Sequence, residues 1–178
     1  MNRLHTINVA EATGETAELF AAIKKAVGMV PNAYATIGSN SPQVLASVLQ
    51  TGALLKQSQL SSREIEAIDL AVSEATQCDY CLAAHTMTAK MAGYTPAEIL
   101  ELRKGEFKSD AKIDALVKFA VTLVSTSSTL SAKTVESVKH AGYSDRQIVE
   151  SIYAVSAILF TNMFNRVNDT VLDFPKAA

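Results

Sequence analysis

The sequence predicts an all-α fold. Apolar residues recur three and four positions apart through almost every long segment, and no alternating strand pattern of any length occurs. Gly and Pro number only 7 and 4 in 178 residues while Ala, Leu, Lys and Glu are plentiful, a mixture that favours helices over a turn-rich β fold. Capping residues and glycine stops then cut the chain into segments of helical length. At 48% hydrophobic it holds ample core material, which excludes general disorder, and with 6% aromatics and no Trp that core must be mostly aliphatic.

The first helix is expected over residues 15–27, where Leu19, Phe20, Ile23 and Val27 recur at helical spacing and Gly28 ends the run. Val30-Pro31-Asn32 turns the chain into a short segment over 33–37, closed by Gly38-Ser39-Asn40. Ser41-Pro42 is an N-cap followed by proline at the first helical position, opening a helix over 43–56. Ser61 and Glu64 form a capping box for a helix from 62 to about 77, carrying Ile65, Ile68, Val72 and Ala75. The next helix begins at Cys78 and Cys81 and runs to Ala92, where Gly93 stops it. Thr95-Pro96-Ala97-Glu98 is another capping box, for a helix ending near Gly105. Residues 110–126 place Ile113, Leu116, Val117, Ala120, Val121 and Val124 on one amphipathic face, broken by the polar run 125–128. A helix over 133–140 follows, and Ser144 with Gln147 opens the last one, to about 168.

One unit is used twice. Lys90-Met91-Ala92-Gly93-Tyr94-Thr95 resembles Lys139-His140-Ala141-Gly142-Tyr143-Ser144, 49 residues later, and Ile99 and Glu101 are matched by Ile148 and Glu150. The length suits a single domain of three parts: N-terminal helices about 15–58, a cysteine-bearing unit about 61–105, and a second, repeat-like unit about 110–170. Only the first copy is preceded by cysteines, so duplication describes the scaffold and the chemistry belongs to one half.

With 16 Lys+Arg against 18 Asp+Glu the net charge is −2, and no basic footprint for nucleic acid exists. The opening Met1-Asn2-Arg3-Leu4-His5 leads into no apolar secretory segment, and the most apolar stretch, 153–160, falls short of the roughly 18–20 residues a membrane span needs. A cytoplasmic chain without nucleic-acid or membrane partners is expected. No phosphate-cradling glycine loop or nucleotide motif is found, and no cofactor is expected.

The informative segment is Cys78-Asp79-Tyr80-Cys81-Leu82-Ala83-Ala84-His85. With Cys78 at a helix start, Cys81 lies one turn on and faces the same side, within disulfide reach. The unpaired N–H groups of a helix N-terminus favour thiolate over thiol. His85, four residues beyond Cys81, falls on that face, where an imidazole can take the Cys81 proton or return one to a leaving oxygen. Thiolate, neighbouring thiol and adjacent base are the minimum set for reversible thiol oxidation. Two other readings of the same residues stand beside it: the cysteines as small buried hydrophobes, and Cys78, Cys81 and His85 as three zinc ligands with a carboxylate as the fourth. A carboxylate partner is expected to orient the imidazole, and the preceding helix offers a polar stripe of Glu66, Asp69, Ser73 and Gln77, with Glu74 nearer the turn. Periodicity does not choose between Glu66 and Glu74.

Glu66, eleven intervening residues, then Cys78-Asp79-Tyr80-Cys81 and His85, resembles the signature of the AhpD-like / carboxymuconolactone decarboxylase superfamily. Val27-Gly28-Met29-Val30-Pro31-Asn32 with Ser41-Pro42, and the closing Asn165-Arg166-Val167-Asn168-Asp169, are similar to the two ends of its peroxidase-related members. The resemblance implies an AhpD-like helical fold with a duplicated unit, assembly into trimers or hexamers, and reduction of alkyl hydroperoxides or hydrogen peroxide. It implies Cys81 as the peroxide-attacking thiolate, Cys78 as the resolving thiol, His85 as proton relay and Glu66 as its carboxylate. It further implies an external dithiol as reductant, a lipoyl-bearing adaptor in one branch. That branch carries a second histidine just before the second cysteine. Tyr80 stands there in this chain, and a phenol titrating near ~10 is no base at neutral pH.

The expected function is therefore a thiol-dependent peroxidase. Its alternatives are a non-catalytic oligomeric module with a structural metal at the Cys/His cluster, and a disulfide-exchange or redox-sensing protein. Met87 and Met91 are read as core or interface filler, the apolar run 154–160 as buried within the fold or between subunits, Asn162, Asn165, Arg166, Asn168 and Asp169 as a polar helix end, and Arg103-Lys104 and Lys24-Lys25 as solvated faces.

Overall fold

A computed structural model describes residues 2–177. Among these residues the chain forms nine α-helices, a single 3-10 turn at Val9–Glu11 and no strand. The helices are α1 (Gly14–Val27), α2 (Asn32–Asn40), α3 (Pro42–Lys56), α4 (Ser62–Ala75), α5 (Asp79–Met91), α6 (Pro96–Arg103), α7 (Ala111–Ser125), α8 (Ala132–His140) and α9 (Asp145–Asn168). Their starts are set by the expected caps: the Ser61, Thr95 and Ser144 hydroxyls accept from the third helical N–H, and Glu64, Glu98 and Gln147 reach back to the cap N–H.

Gly38 is a correction to the expected stop. α2 runs through it, because the glycine serves close packing: a Cβ there would lie 2.6 Å from Phe20 Cε1 and 2.7 Å from Leu45 Cδ2. Phe20, Ile23, Ala35, Ile37 and Leu45 thereby make a small core of their own among α1, α2 and α3.

α4 is the hub. It packs against α5, α6, α7 and α9, and every residue from Ala67 to Ser73 is buried. Ile68 and Val72 face one core with Leu116, Ala120, Ala154 and Ile158, while Ala67, Leu70 and Ala71 face a second with Leu102, Phe107 and Val117. A polar side chain on such a helix is costly unless partnered.

α9 differs from its reading in two ways. At 24 residues it is long and apolar enough, by length and composition, to cross a membrane, although the apolar stretch 153–160 alone is not. In this fold it packs against α2, α3, α4, α5 and α7, and Ala154, Val155 and Ile158 of the expected apolar run are buried. Asn162, Asn165 and Asn168 are not a solvated helix end. All three are buried, on the face that meets the core. Met87 and Met91 are exposed in the chain rather than packed in its core, and Arg103 is paired with Glu74 rather than free in solvent.

Candidate active site

The turn between α4 and α5 brings the cysteines into place. Gln77 takes a left-handed conformation (φ 56°), and Cys78 N–H bonds back to the Ser73 carbonyl at 3.0 Å, so the chain reverses sharply against the end of α4. Cys78 is then the N-cap of α5, its Sγ accepting from Cys81 N–H at 3.3 Å as a serine hydroxyl does elsewhere. The two Cα atoms are 5.3 Å apart and the sulfurs are joined as a disulfide. Both residues are buried, Cys78 1% and Cys81 3% exposed. Asn165 on α9 donates from Nδ2 to Cys81 Sγ at 3.3 Å. Tyr80, between the cysteines, accepts at its hydroxyl from Ala33 N–H (3.2 Å) and packs edge-on to Phe174. Burial pushes its phenol above the ordinary range, further from any role as a base.

Further along α5, His85 Nδ1 lies 3.0 Å from Glu66 Oε2 and 3.4 Å from Asp69 Oδ2, and Thr88 Oγ1 donates to Glu66 Oε2 at 2.6 Å. The choice the sequence left open falls to Glu66, since Glu74 is taken by Arg103. Burial opposes charge on the imidazole, but Asp69 and Glu66 outweigh it and hold its pKa up to about 9. The same burial, with Glu66 nearby, raises Asp69 to about 7 against the pull of His85. At neutral pH the ring therefore carries its proton, and the group at rest is a proton donor.

Beside this trio opens a cavity of about 710 Å³, walled by apolar side chains of α3 and α9 such as Val48, Leu55 and Phe160, with Tyr34, Glu66, Asp69 and His85 among its polar lining. The cysteines do not line it. Cys81 and His85 share α5 at a spacing of four residues, about 6 Å of helix rise, and the His85 nitrogen that is bonded turns to α4. The donors gathered within 4.8 Å of one another, close enough to hold a metal ion, are those of Glu66, Asp69 and His85. The alternative reading of Cys78, Cys81 and His85 as zinc ligands meets a different arrangement: the sulfurs are bonded to each other and the imidazole faces two carboxylates.

Sequence reasoning held Asp69 only as one member of a stripe and missed Asn165 and Thr88. The available signals were an i, i+3 acid pair on an apolar helix, asparagines at 162, 165 and 168 on one face of another, and a hydroxyl three residues past His85.

The all-helical fold built on a repeated unit, with a Cys-x-x-Cys pair opening one helix and a histidine–carboxylate group behind it, is an AhpD-like fold. Residues 42–106, which contain Glu66, Cys78, Cys81 and His85, match the carboxymuconolactone decarboxylase family. The fold of the chain is similar to that of a peroxidase-related protein of the alkylhydroperoxidase AhpD core type from Ralstonia eutropha JMP134, with a TM-score of 0.86 and 18% identity over 97% of this chain and 92% of that one. A peroxidase-related protein from Silicibacter sp. TM1040 superimposes with a TM-score of 0.76 and 22% identity over 96% and 94%. A cysteine-to-alanine variant of the debrominase Bmp8, in complex with 2,3,4-tribromopyrrole, does so with a TM-score of 0.80 and 16% identity over 97% and 92%. No curated protein sequence matches the chain.

Proposed function

We propose that the chain is a thiol-dependent peroxidase that reduces hydroperoxides at Cys81. The observation that carries the reading is the pairing of Cys78 and Cys81 at the N-terminus of α5, on the same helix as an imidazole held by Glu66. The Cys81 thiolate attacks the terminal oxygen of the hydroperoxide. The S–O bond forms, the O–O bond breaks, and the departing alkoxide takes a proton from the His85 imidazolium to leave as an alcohol. Cys78 then attacks the sulfenic sulfur, water departs, and the disulfide is returned to two thiols by an external dithiol. The need for that reductant fits a cytoplasmic setting. The apolar wall of the cavity supports an organic hydroperoxide over hydrogen peroxide. The run of exposed Val149, Ile152, Tyr153, Met163 and Val167 along α9 supports a homo-oligomer.

The test is dithiol-dependent peroxide consumption by Cys81→Ser. Turnover is expected to vanish while the helical circular dichroism and the thermal midpoint stay near those of the parent. Turnover that persists in this variant refutes the reading.

A further inference from the structure

Three asparagines follow one another along the core-facing side of α9, and two of them are accounted for. Asn162 accepts from Ser73 Oγ at 3.3 Å and donates to Thr76 Oγ1 at 2.8 Å, tying α9 to the end of α4. Asn168 accepts from Leu4 N–H at 2.9 Å and donates to Thr170 Oγ1 at 3.0 Å, holding both chain ends. Asn165 is different. It is only 4% exposed, its Nδ2 reaches Cys81 Sγ, and its Oδ1 is buried among the described residues with no hydrogen-bond partner at all.

A buried amide oxygen without a donor is rare in a folded chain, because its desolvation is then uncompensated. No donor is fixed at this spot, so the group is satisfied only when one arrives. That oxygen is carried on the same carbon as the nitrogen that meets Cys81 Sγ at 3.3 Å, so the unpartnered acceptor lies close to the sulfur.

We propose that Asn165 is a catalytic residue of the peroxide step, its N–H stabilising the Cys81 thiolate and its Oδ1 accepting the O–H of the oxygen that is transferred. The proposal rests on the peroxidase reading. In ROOH the terminal oxygen carries the hydrogen. When sulfur attacks that oxygen, sulfur is oxidised by two electrons, the O–O pair leaves with RO⁻, and RO⁻ takes its proton from His85. The hydrogen on the transferred oxygen never moves: it is the hydroperoxide O–H before the attack and the Cys81 sulfenic O–H after it. One acceptor can therefore serve both states, and an amide whose N–H meets sulfur while its C=O meets the attached O–H matches the S–O–H unit along its length. Preorganised donors and acceptors of this kind act without rearranging during the reaction.

The test uses two readouts in the full-length chain. Thiolate ultraviolet absorbance against pH, measured on Cys78→Ser protein with no peroxide present, reports the thiolate half. The second-order rate of sulfenic acid formation, read by a sulfenic-acid trap under a hydroperoxide pulse, reports the oxygen half. Asn165→Ala is expected to raise the Cys81 titration midpoint by about one unit and to slow sulfenic formation about a hundredfold, the size of effect seen when one such preorganised group is removed. Asn165→Asp keeps the shape and an oxygen but replaces the donor with a negative charge, so it guards against a folding defect in the alanine variant and is expected to raise the midpoint further. Asn162→Ala is the structural control. It is expected to lower thermal stability while leaving midpoint and rate in place. A midpoint and a rate in folded Asn165→Ala or Asn165→Asp that equal the parent's overturn the proposal. Because the titration needs no peroxide, failure of the peroxidase reading, seen as turnover surviving Cys81→Ser, is told apart from failure of this assignment.

Discussion

The two copies of the repeated unit are the same scaffold with different contents. At a shift of 49 residues Ser61 and Asp110 both cap a helix, Gly93 and Gly142 both end one with φ of 89° and 99°, and Thr95 and Ser144 both open the next with a capping box. Arg63 lies over the Tyr94 ring at 3.9 Å and Lys112 over the Tyr143 ring at 4.5 Å, again 49 residues apart. The chemical residues have no such echo. Glu66, Asp69, Cys78, Cys81 and His85 correspond to Ala115, Lys118, Ser127, Leu130 and Thr134. What was duplicated is the set of local devices that start, stop and orient helices. The paired acids, the sulfurs and the imidazole stand in one copy alone, which is how a site can be told from a scaffold inside a single chain.

The sharpest way to break this comparison is to remove the imidazole and its counterpart together. His85→Ala is expected to slow peroxide reduction by a hundredfold or more, the usual contribution of a positioned proton donor, while Thr134→Ala leaves the rate unchanged. Rapid-mixing kinetics on the two variants decide it. Equal rates would mean that the first copy is no more reactive than the second, and that Glu66, Asp69 and His85 form a structural ion group.

A smaller effect separates Asp69 from Lys118. Asp69 binds its proton more tightly folded than unfolded, since its pKa rises from 3.8 to about 7, and His85 does the same, rising from 6.5 to about 9. Both raise the number of protons on the native state, so both contribute stability that is lost as pH rises. For Asp69 that contribution is complete below 3.8 and gone above about 7; for His85 it is complete below 6.5 and gone above about 9. Asp69→Asn removes the first and, by taking away the largest charge holding the imidazolium, narrows the second. Urea midpoints measured from about pH 4 to about pH 9 should fall less steeply in Asp69→Asn than in the parent. A parallel fall would show that Asp69 is not the group that titrates.

The helices were legible because their signals are local. Ser61, Thr95 and Ser144 name their own helix starts, and the structure moves most ends by only a residue or two. The cysteine pair was legible for the same reason, being contained in one turn of helix. Glu66 over Glu74, the share of Asp69, and Asn165 were not legible from spacing, because each depends on which helix covers α4 and α5. Gly38 misled for a related reason: its neighbours Phe20 and Leu45 lie on other helices, and nothing within α2 shows that a side chain would not fit.

The least effect, and the one that tests whether the copies are energetically alike, comes from the two glycines. A Cβ at Gly93 would lie 3.5 Å from Arg63 Nη1, an ordinary contact, and at Gly142 it would meet nothing within 4 Å. Space is therefore not the issue at either position. The cost of alanine is the left-handed backbone alone, about 1–2 kcal/mol for a residue with a side chain. Gly93→Ala and Gly142→Ala should lower the thermal midpoint by similar amounts, roughly 2–8 °C for a chain of this size. Neither should change the peroxide rate per folded molecule, since Gly93 terminates α5 at the end away from the cysteines. A much larger loss at Gly93 would mean that the first copy tolerates less backbone strain than the second. The burden of holding two acids and an imidazole inside α4 and α5 would then have made that half of the scaffold the weaker one.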